Sequence, residues 1–417
     1  MHIDSGDTAW LLVSTALVLF MTPGLAFFYD GMVRSKHVLS MLAQNFAVIA
    51  VVSIVWMIAA YTLAFSKDVG GVIGNLHLAG FADAHADVPG LHLHVPPLAF
   101  AAFQMMFAVI TAALLTGAGA DRMRFGGFLV FAGLWVLVVY APLAHWVFTP
   151  HGWLAQLGLR DFAGGTVVEI NAGASALALA LVLGARRGWP HEAMPPHSLP
   201  LTLLGAGILW FGWFGFNAGS ALASGDLAAQ ALIGTHLAAC GGLLSWIAIE
   251  WKTTGHATTL GAASGAIAGL VAITPAAGYV NSVAAVAIGL AAGGAGLAAI
   301  RLKFRLGYDD SLDVVGVHGV CGVVGTLAVG IFATRSVNPN GRGLIDGAGV
   351  HLLGVQALGV LVAVVWAFTA TGVIAFLVHK TIGLRVVRDV ELQGLDMAVH
   401  AETAYEHGAA GTATRAL

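Results

Sequence analysis

The stretch Asp161-Phe162-Ala163-Gly164-Gly165-Thr166-Val167-Val168-Glu169-Ile170-Asn171-Ala172-Gly173 decides how this chain is read, because it drives one acidic side chain, Glu169, deep into an apolar helix start. A carboxylate near the centre of a bilayer costs a few kcal/mol or more unless it faces a cavity and has a partner, so Glu169 is a candidate functional group and a partner must exist elsewhere. The surrounding chain is a membrane protein by composition. Of 417 residues, 58% are hydrophobic and only 9% charged, against roughly 25% charged in soluble domains, and mean hydropathy is +0.87. A net charge of −3 without a basic stripe excludes nucleic acid as a partner. Cys240 and Cys321 both lie in apolar segments, so neither a disulfide framework nor a zinc site is expected. The short acidic N-terminus lacks the positive region of a cleavable signal peptide, and the first apolar helix is expected to be retained.

Working outward, apolar runs long enough to cross a core of ~30 Å number eleven: Ala9 to Met32, Val38 to Phe65, Leu98 to Gly117, Phe125 to Phe148, Phe162 to Gly184, Pro200 to Ala218, Leu227 to Ile249, Ala257 to Ile273, Asn281 to Leu302, Leu312 to Phe332 and Gly349 to Val378. The expected fold is an all-α polytopic membrane protein of eleven transmembrane helices over residues 1–380, followed by a cytoplasmic tail, 381–417. Its lysines and arginines alternate between the two sides of these segments. Fourteen of the 18, from Arg34 and Lys36 through Arg122, Arg186, Lys303 and Arg385 to Arg415, fall on one side, and Lys67, Arg160, Arg335 and Arg342 on the other. Because cytoplasmic loops carry the excess, the N-terminus is expected outside and the C-terminus inside. Glycines at small-xxx-small spacing, such as Gly261, Gly265 and Gly269, are expected to let helices pack closely.

An internal repeat supplies the partner. Asp161 precedes Glu169 by eight residues, and Asp310 precedes His318 by eight, each at the start of a Gly- and Val-rich helix. The fifth and tenth helices run in opposite directions, as in an inverted five-plus-five repeat whose site lies near the midplane. Asp161 and Asp310 are expected to be structural caps of these helices. Eight residues carry the next polar group ~12 Å inward from each face, so Glu169 and His318 are expected to meet.

With these residues in view, the chain resembles the ammonium transporter (Amt/Mep/Rh) family along nearly its whole length. The resemblance rests on Pro23-Gly24-Leu25-Ala26-Phe27-Phe28-Tyr29, Asp161 to Val168, Gly212-Trp213-Phe214-Gly215-Phe216-Asn217-Ala218-Gly219-Ser220, Gly265 to Val271, Gly316-Val317-His318-Gly319-Val320-Cys321-Gly322 and Gly383-Leu384-Arg385-Val386. It implies a homotrimer in the cell membrane with one pore per subunit, helix eleven peripheral, and ammonium or ammonia as substrate. The family's outer ammonium site maps onto Phe107, Phe148, Phe216 and Ser220, with Phe107 and Phe216 as the gate and Glu169 and His318 as the pore pair. Aromatic faces suit a dehydrated cation, at about 1–2 kcal/mol each, and a hydroxyl suits its N–H groups. The sequence departs from most bacterial members twice: Phe148 stands where they carry Trp, and Glu169 stands where they carry the first of two pore histidines, as in some fungal members. Trp146, two residues along the helix, is expected to point away from the Phe148 position. The mechanism implied is recruitment of ammonium at the outer site, loss of its proton, and passage of ammonia through an apolar pore with Glu169 and His318 relaying the proton.

The remaining features take plainer readings. His77, His85, His92 and His94 are expected to be solvated loop histidines, with no metal site. Asp309, Asp310 and Asp313 are expected to cap the tenth helix rather than form an acidic vestibule. The tail resembles the family's cytoplasmic region that couples subunits and meets a P-II signal protein, and its last residues, after His407, are expected to be disordered. Two other readings compete: an ammonium sensor, which would carry a signalling domain longer than this tail, and an Rh-like ammonia gas channel, which would lack a hydroxyl at Ser220. No cofactor motif or nucleophile–base pair marks an enzyme.

Overall fold

The computed structural model describes residues 3–83 and 85–405; the expectations for Arg415 and for the tail after His407 fall outside these residues. Ten helices among them are long and apolar enough to cross a membrane: α1 Ser5–Met32, α2 Val38–Phe65, α3 Pro97–Gly119, α4 Phe125–Gln156, α5 Gly165–Leu183, α6 Leu199–Gly219, α7 Asp226–Thr254, α9 Ser282–Leu306, α10 Val315–Phe332 and α11 His351–Thr381. Between α7 and α9 lies a shorter apolar helix, α8, Thr259–Ile273. Its 15 residues span about 22 Å at 1.5 Å per residue, less than the ~30 Å core, so the eighth segment read from sequence folds into less than a full-length helix. A short helix, α12 Arg388–Gln393, follows in the tail. The fold departs from a purely helical reading in the loop between α2 and α3, where Asp68–Val69 (β1) and Ile73–Gly74 (β2) pair antiparallel.

Local chemistry sets the ends of these helices. Asp4, Thr258 and Asn281 accept from the backbone N–H of Asp7, Gly261 and Ala284, capping α1, α8 and α9. Helices α7 and α9 stop at the left-handed glycines Gly255 (φ 81°) and Gly307 (φ 74°), a conformation that only glycine adopts at little cost.

Inside the bundle, α1 runs along α6, and α7 packs against α8 and α9. The expected role of the glycines is visible at Ala238 of α7, whose carbonyl oxygen would lie 2.2 Å from a Cβ at Gly269 and 2.1 Å from one at Gly289. Trp135 of α4 donates to Ser175 of α5 at 3.1 Å and to Thr371 of α11 at 2.9 Å. These bonds satisfy buried polar atoms across three helices where no water is at hand.

At the face that carries the tail, Arg34 pairs with Asp121 at 3.0 Å, and Arg186 with Asp309 at 2.9 Å. Burial opposes a charge on Asp309, but its hydrogen bonds with Arg186 and the nearby Arg122 outweigh it and hold the carboxyl below the usual range. Lys303 pairs with Asp313. Of the three aspartates expected to cap α10, only Asp310 caps that helix with its carboxylate, which accepts from Val315 N at 2.7 Å; its neighbours are taken by basic side chains. Burial pushes Asp310 up to about 6.

Gly289→Leu should overpack the α7–α9 contact and cost ~1–3 kcal/mol, read as a lower melting temperature in detergent. Gly354→Leu on α11, where an added Cβ meets nothing within 4 Å, should leave that temperature nearly unchanged.

Candidate functional site

Two helix starts aim the central pair. Gly164 adopts φ 117° and turns the chain into α5. Asp161 then accepts from Gly164 N (2.8 Å), Gly165 N (2.7 Å) and Thr166 N (2.8 Å), and from the Thr166 hydroxyl. The first turns of both helices, Gly165–Ile170 and Val315–Val320, are π-helical, a widened turn that recurs at functional sites. Glu169 and His318 project from these turns. They meet: Glu169 Oε2 and His318 Nδ1 share a hydrogen bond of 2.7 Å, with the two residues 1% and 3% exposed. Close approach of α5 and α10 is what allows it. A Cβ on Gly173 would lie 2.2 Å from the Cα of Gly319, and one on Gly322 would lie 2.9 Å from the Glu169 Cβ.

The pair lines a narrow cavity of about 10 Å³, room for the centre of one water-sized molecule. Its other walls are apolar, including Met21, Leu25, Ile110, Leu114, Trp213 and Ile267. Phe216 closes one end of this cavity and stacks on Phe107, with centroids 4.1 Å apart and planes 23° from parallel. Beyond the stack, Phe107 faces a wider cavity of about 410 Å³ that also receives Phe148, Ser220 and Asp161. Ser220 donates its hydroxyl hydrogen to the Phe216 carbonyl at 2.8 Å, leaving its oxygen lone pairs to accept. A third cavity, about 370 Å³ at the tail face, is lined by Arg186, Glu192, Lys303, Ser311 and Asp313 among others.

Phe107, Phe148, Phe216 and Ser220 are thus brought together around one vestibule and its stacked floor, and Glu169 and His318 lie behind it. Trp146 does not join them. It is buried against Trp153 and Trp366, and its indole N–H donates to Val72 O at 2.6 Å. Sequence reasoning overlooked Gln104, Tyr279, Asn338 and Asn340, which line the same vestibule. Gln104 was within reach of the pattern: it sits one turn before Phe107 on α3, hence on the same face, and its Oε1 has no partner. The two asparagines come from the loop after α10, which carries no periodicity to read. Among the described residues, no group of three or more His, Cys, Asp and Glu side chains is arranged to hold a metal ion.

The family model described as Ammonium Transporter Family matches residues 9–405. An ammonium transporter of Mycobacterium tuberculosis is 48% identical over 98% of this chain and 91% of its own length. Among solved structures, Saccharomyces cerevisiae Mep2 superposes with a TM-score of 0.87 at 37% identity, covering 93% of this chain and 89% of that one. A structure titled Sensor Amt Protein gives 0.87 at 32% identity, covering 94% and 98%.

Asp161→Ala removes an acceptor from four backbone N–H groups, those of Gly164, Gly165, Thr166 and Val167, and should cost ~1–2 kcal/mol, seen as a lower melting temperature. Asp161→Asn keeps one acceptor oxygen and should recover part of it.

Proposed function

This chain belongs to the ammonium transporter family and carries ammonium across a membrane, and we propose that it does so by stripping the cation of a proton at the phenyl stack and passing ammonia by the Glu169–His318 pair, which relays the proton. The observation that carries the reading is the 2.7 Å contact between an acid and a base buried in an otherwise apolar cavity. An ammonium ion in such a cavity would lose its hydration without replacement, a cost of many kcal/mol that deprotonation avoids. Phe107, Phe148 and Phe216 supply aromatic faces for the cation, and Ser220 supplies an acceptor. Gln104 lines the same vestibule, with its Oε1 buried and unpartnered beside it. Phe107 and Phe216 act as the gate, since their stack separates vestibule from cavity. Glu169 and His318 form a coupled pair whose proton belongs to both.

In this reading α8 is the eighth span and brings the count to eleven, shorter than the rest but continued by the turns that follow it, and helices one to five and six to ten are inverted repeats. The matched Asp caps and π-turns of α5 and α10 support that symmetry. The ion pairs of Arg34, Arg122 and Arg186 gather on the tail face, which supports a cytoplasmic tail and an outside N-terminus. We assign the protein to the cell membrane as a homotrimer, with the tail face open to a P-II signal protein. No enzymatic step is assigned. Similarity to a sensor keeps a signalling reading in view, but a vestibule leading through a gate to a buried acid–base pair favours transport. The Ser220 hydroxyl favours ammonium over a gas-channel reading.

The test is charge movement on an ammonium jump in proteoliposomes. Glu169→Gln should lose most of the wild-type current, and Glu169→His should restore it. Unchanged current in the Gln variant would reduce Glu169 to a pore-lining spacer.

A further inference from the structure

Outside the pore, a buried histidine and a partly exposed aspartate form an ionisable pair whose geometry the transport path does not use. His145 on α4 is fully buried. Its Nδ1 lies 2.7 Å from the carbonyl oxygen of Ala64 at the end of α2, and its Nε2 lies 2.8 Å from Asp68 Oδ1 on β1. A carbonyl oxygen only accepts, so Nδ1 carries a hydrogen. The carboxylate is then bonded to Nε2 only if a second proton lies between them, on the ring or on Asp68. Remove that proton and a nitrogen lone pair faces a carboxylate at hydrogen-bond distance, which is repulsive. The contact is therefore a clasp that closes on a proton.

The clasp holds something specific. Asp68 also accepts twice from Gly71 N, at 2.8 and 2.9 Å, which fixes the tip of the β1–β2 hairpin. That hairpin receives the Trp146 indole N–H at Val72 O and the Trp153 backbone N–H at Gly71 O, 2.6 and 3.2 Å away. Contacts from residues 145, 146 and 153 thus tie the hairpin to both sides of Phe148, the aromatic that reaches into the vestibule. The charged or titratable groups bearing on Asp68 are His145, His151 beyond the end of this helical turn, and its neighbour Lys67.

We propose that Asp68 and His145 are positioning residues for the outer ammonium site: their proton-bridged contact locks the hairpin against α4 and holds Phe148 in the vestibule, so that alkaline conditions loosen the site. This rests on the reading that Phe148 belongs to that site. Asparagine at position 68 separates the proton from the clasp, because its amide N–H can donate to the bare Nε2 while its carbonyl still accepts from Gly71.

The experiment measures the half-saturation concentration for methylammonium uptake in proteoliposomes from pH 6 to pH 8.5, for the wild type, Asp68→Asn, Asp68→Ala and Phe148→Ala. Wild type should weaken severalfold toward alkaline pH, beyond any trend shared by all variants. Asp68→Asn should lack that extra rise, and Asp68→Ala should be weak at every pH while its maximal rate is largely kept. If wild type and Asp68→Asn share one pH profile, the clasp is overturned, even should Asp68→Ala fail to fold. Phe148→Ala separates the two ideas: a raised half-saturation with shared profiles removes the clasp alone, whereas no change on removing Phe148 removes the outer-site reading beneath it.

Discussion

Glu169 and His318 have only each other. The other walls of their cavity are apolar, so the 2.7 Å hydrogen bond between them is what makes either side chain tolerable there. Much of the surrounding structure follows from bringing two such groups to one point from two different helices. Each helix must begin nearby, each start must have its free N–H groups satisfied, and the two backbones must cross closely. Asp161 and Asp310 meet the second requirement, and the Gly173–Gly319 crossing meets the third.

That logic explains what was legible in the sequence. Spacing carried the pair, because an Asp and a titratable group eight residues apart, twice, leaves few arrangements in which both polar groups find partners. Hydropathy carried the helices, since long apolar runs bounded by charge have few other solutions in lipid. The extent of α8 was less legible. The apolar run ends at Ile273, where α8 does end, but hydropathy did not show that its regular helix begins only at Thr259 and falls short of a full crossing. The π-turns at Gly165–Ile170 and Val315–Val320 were invisible too, because a widened turn arises from packing between helices and not from any residue preference.

The tail shows where local reading fails altogether. Asp396 accepts from Leu39 N (3.0 Å) and Ser40 N (2.9 Å), capping the start of α2 in place of His37, whose side chain makes no such bond. Arg385 donates to Leu183 O and Ala185 O at the end of α5 and pairs with Glu391. A cap supplied from more than 350 positions away leaves no capping motif at the helix it serves. Its consequence is mechanical: the polar tail completes the ends of α2 and α5, and α5 is the helix that carries Glu169.

The lining of the path changes character at one place. On the vestibule side of the Phe107–Phe216 stack lie Ser220, Gln104, Asp161, Asn338 and Asn340; on the other side, until Glu169 and His318, the walls are apolar. A cation moving inward therefore meets its last acceptors at the stack, where the aromatic faces still offer ~1–2 kcal/mol each, and beyond it has nothing to replace water. The free-energy step for a charged species falls at the rings themselves, while a neutral molecule of the same size meets mainly a steric barrier. Discrimination by charge thus does not require Glu169 or His318 to bind the cation at all. It requires the polar lining to stop at the Phe107–Phe216 stack, on whose far side the apolar walls begin.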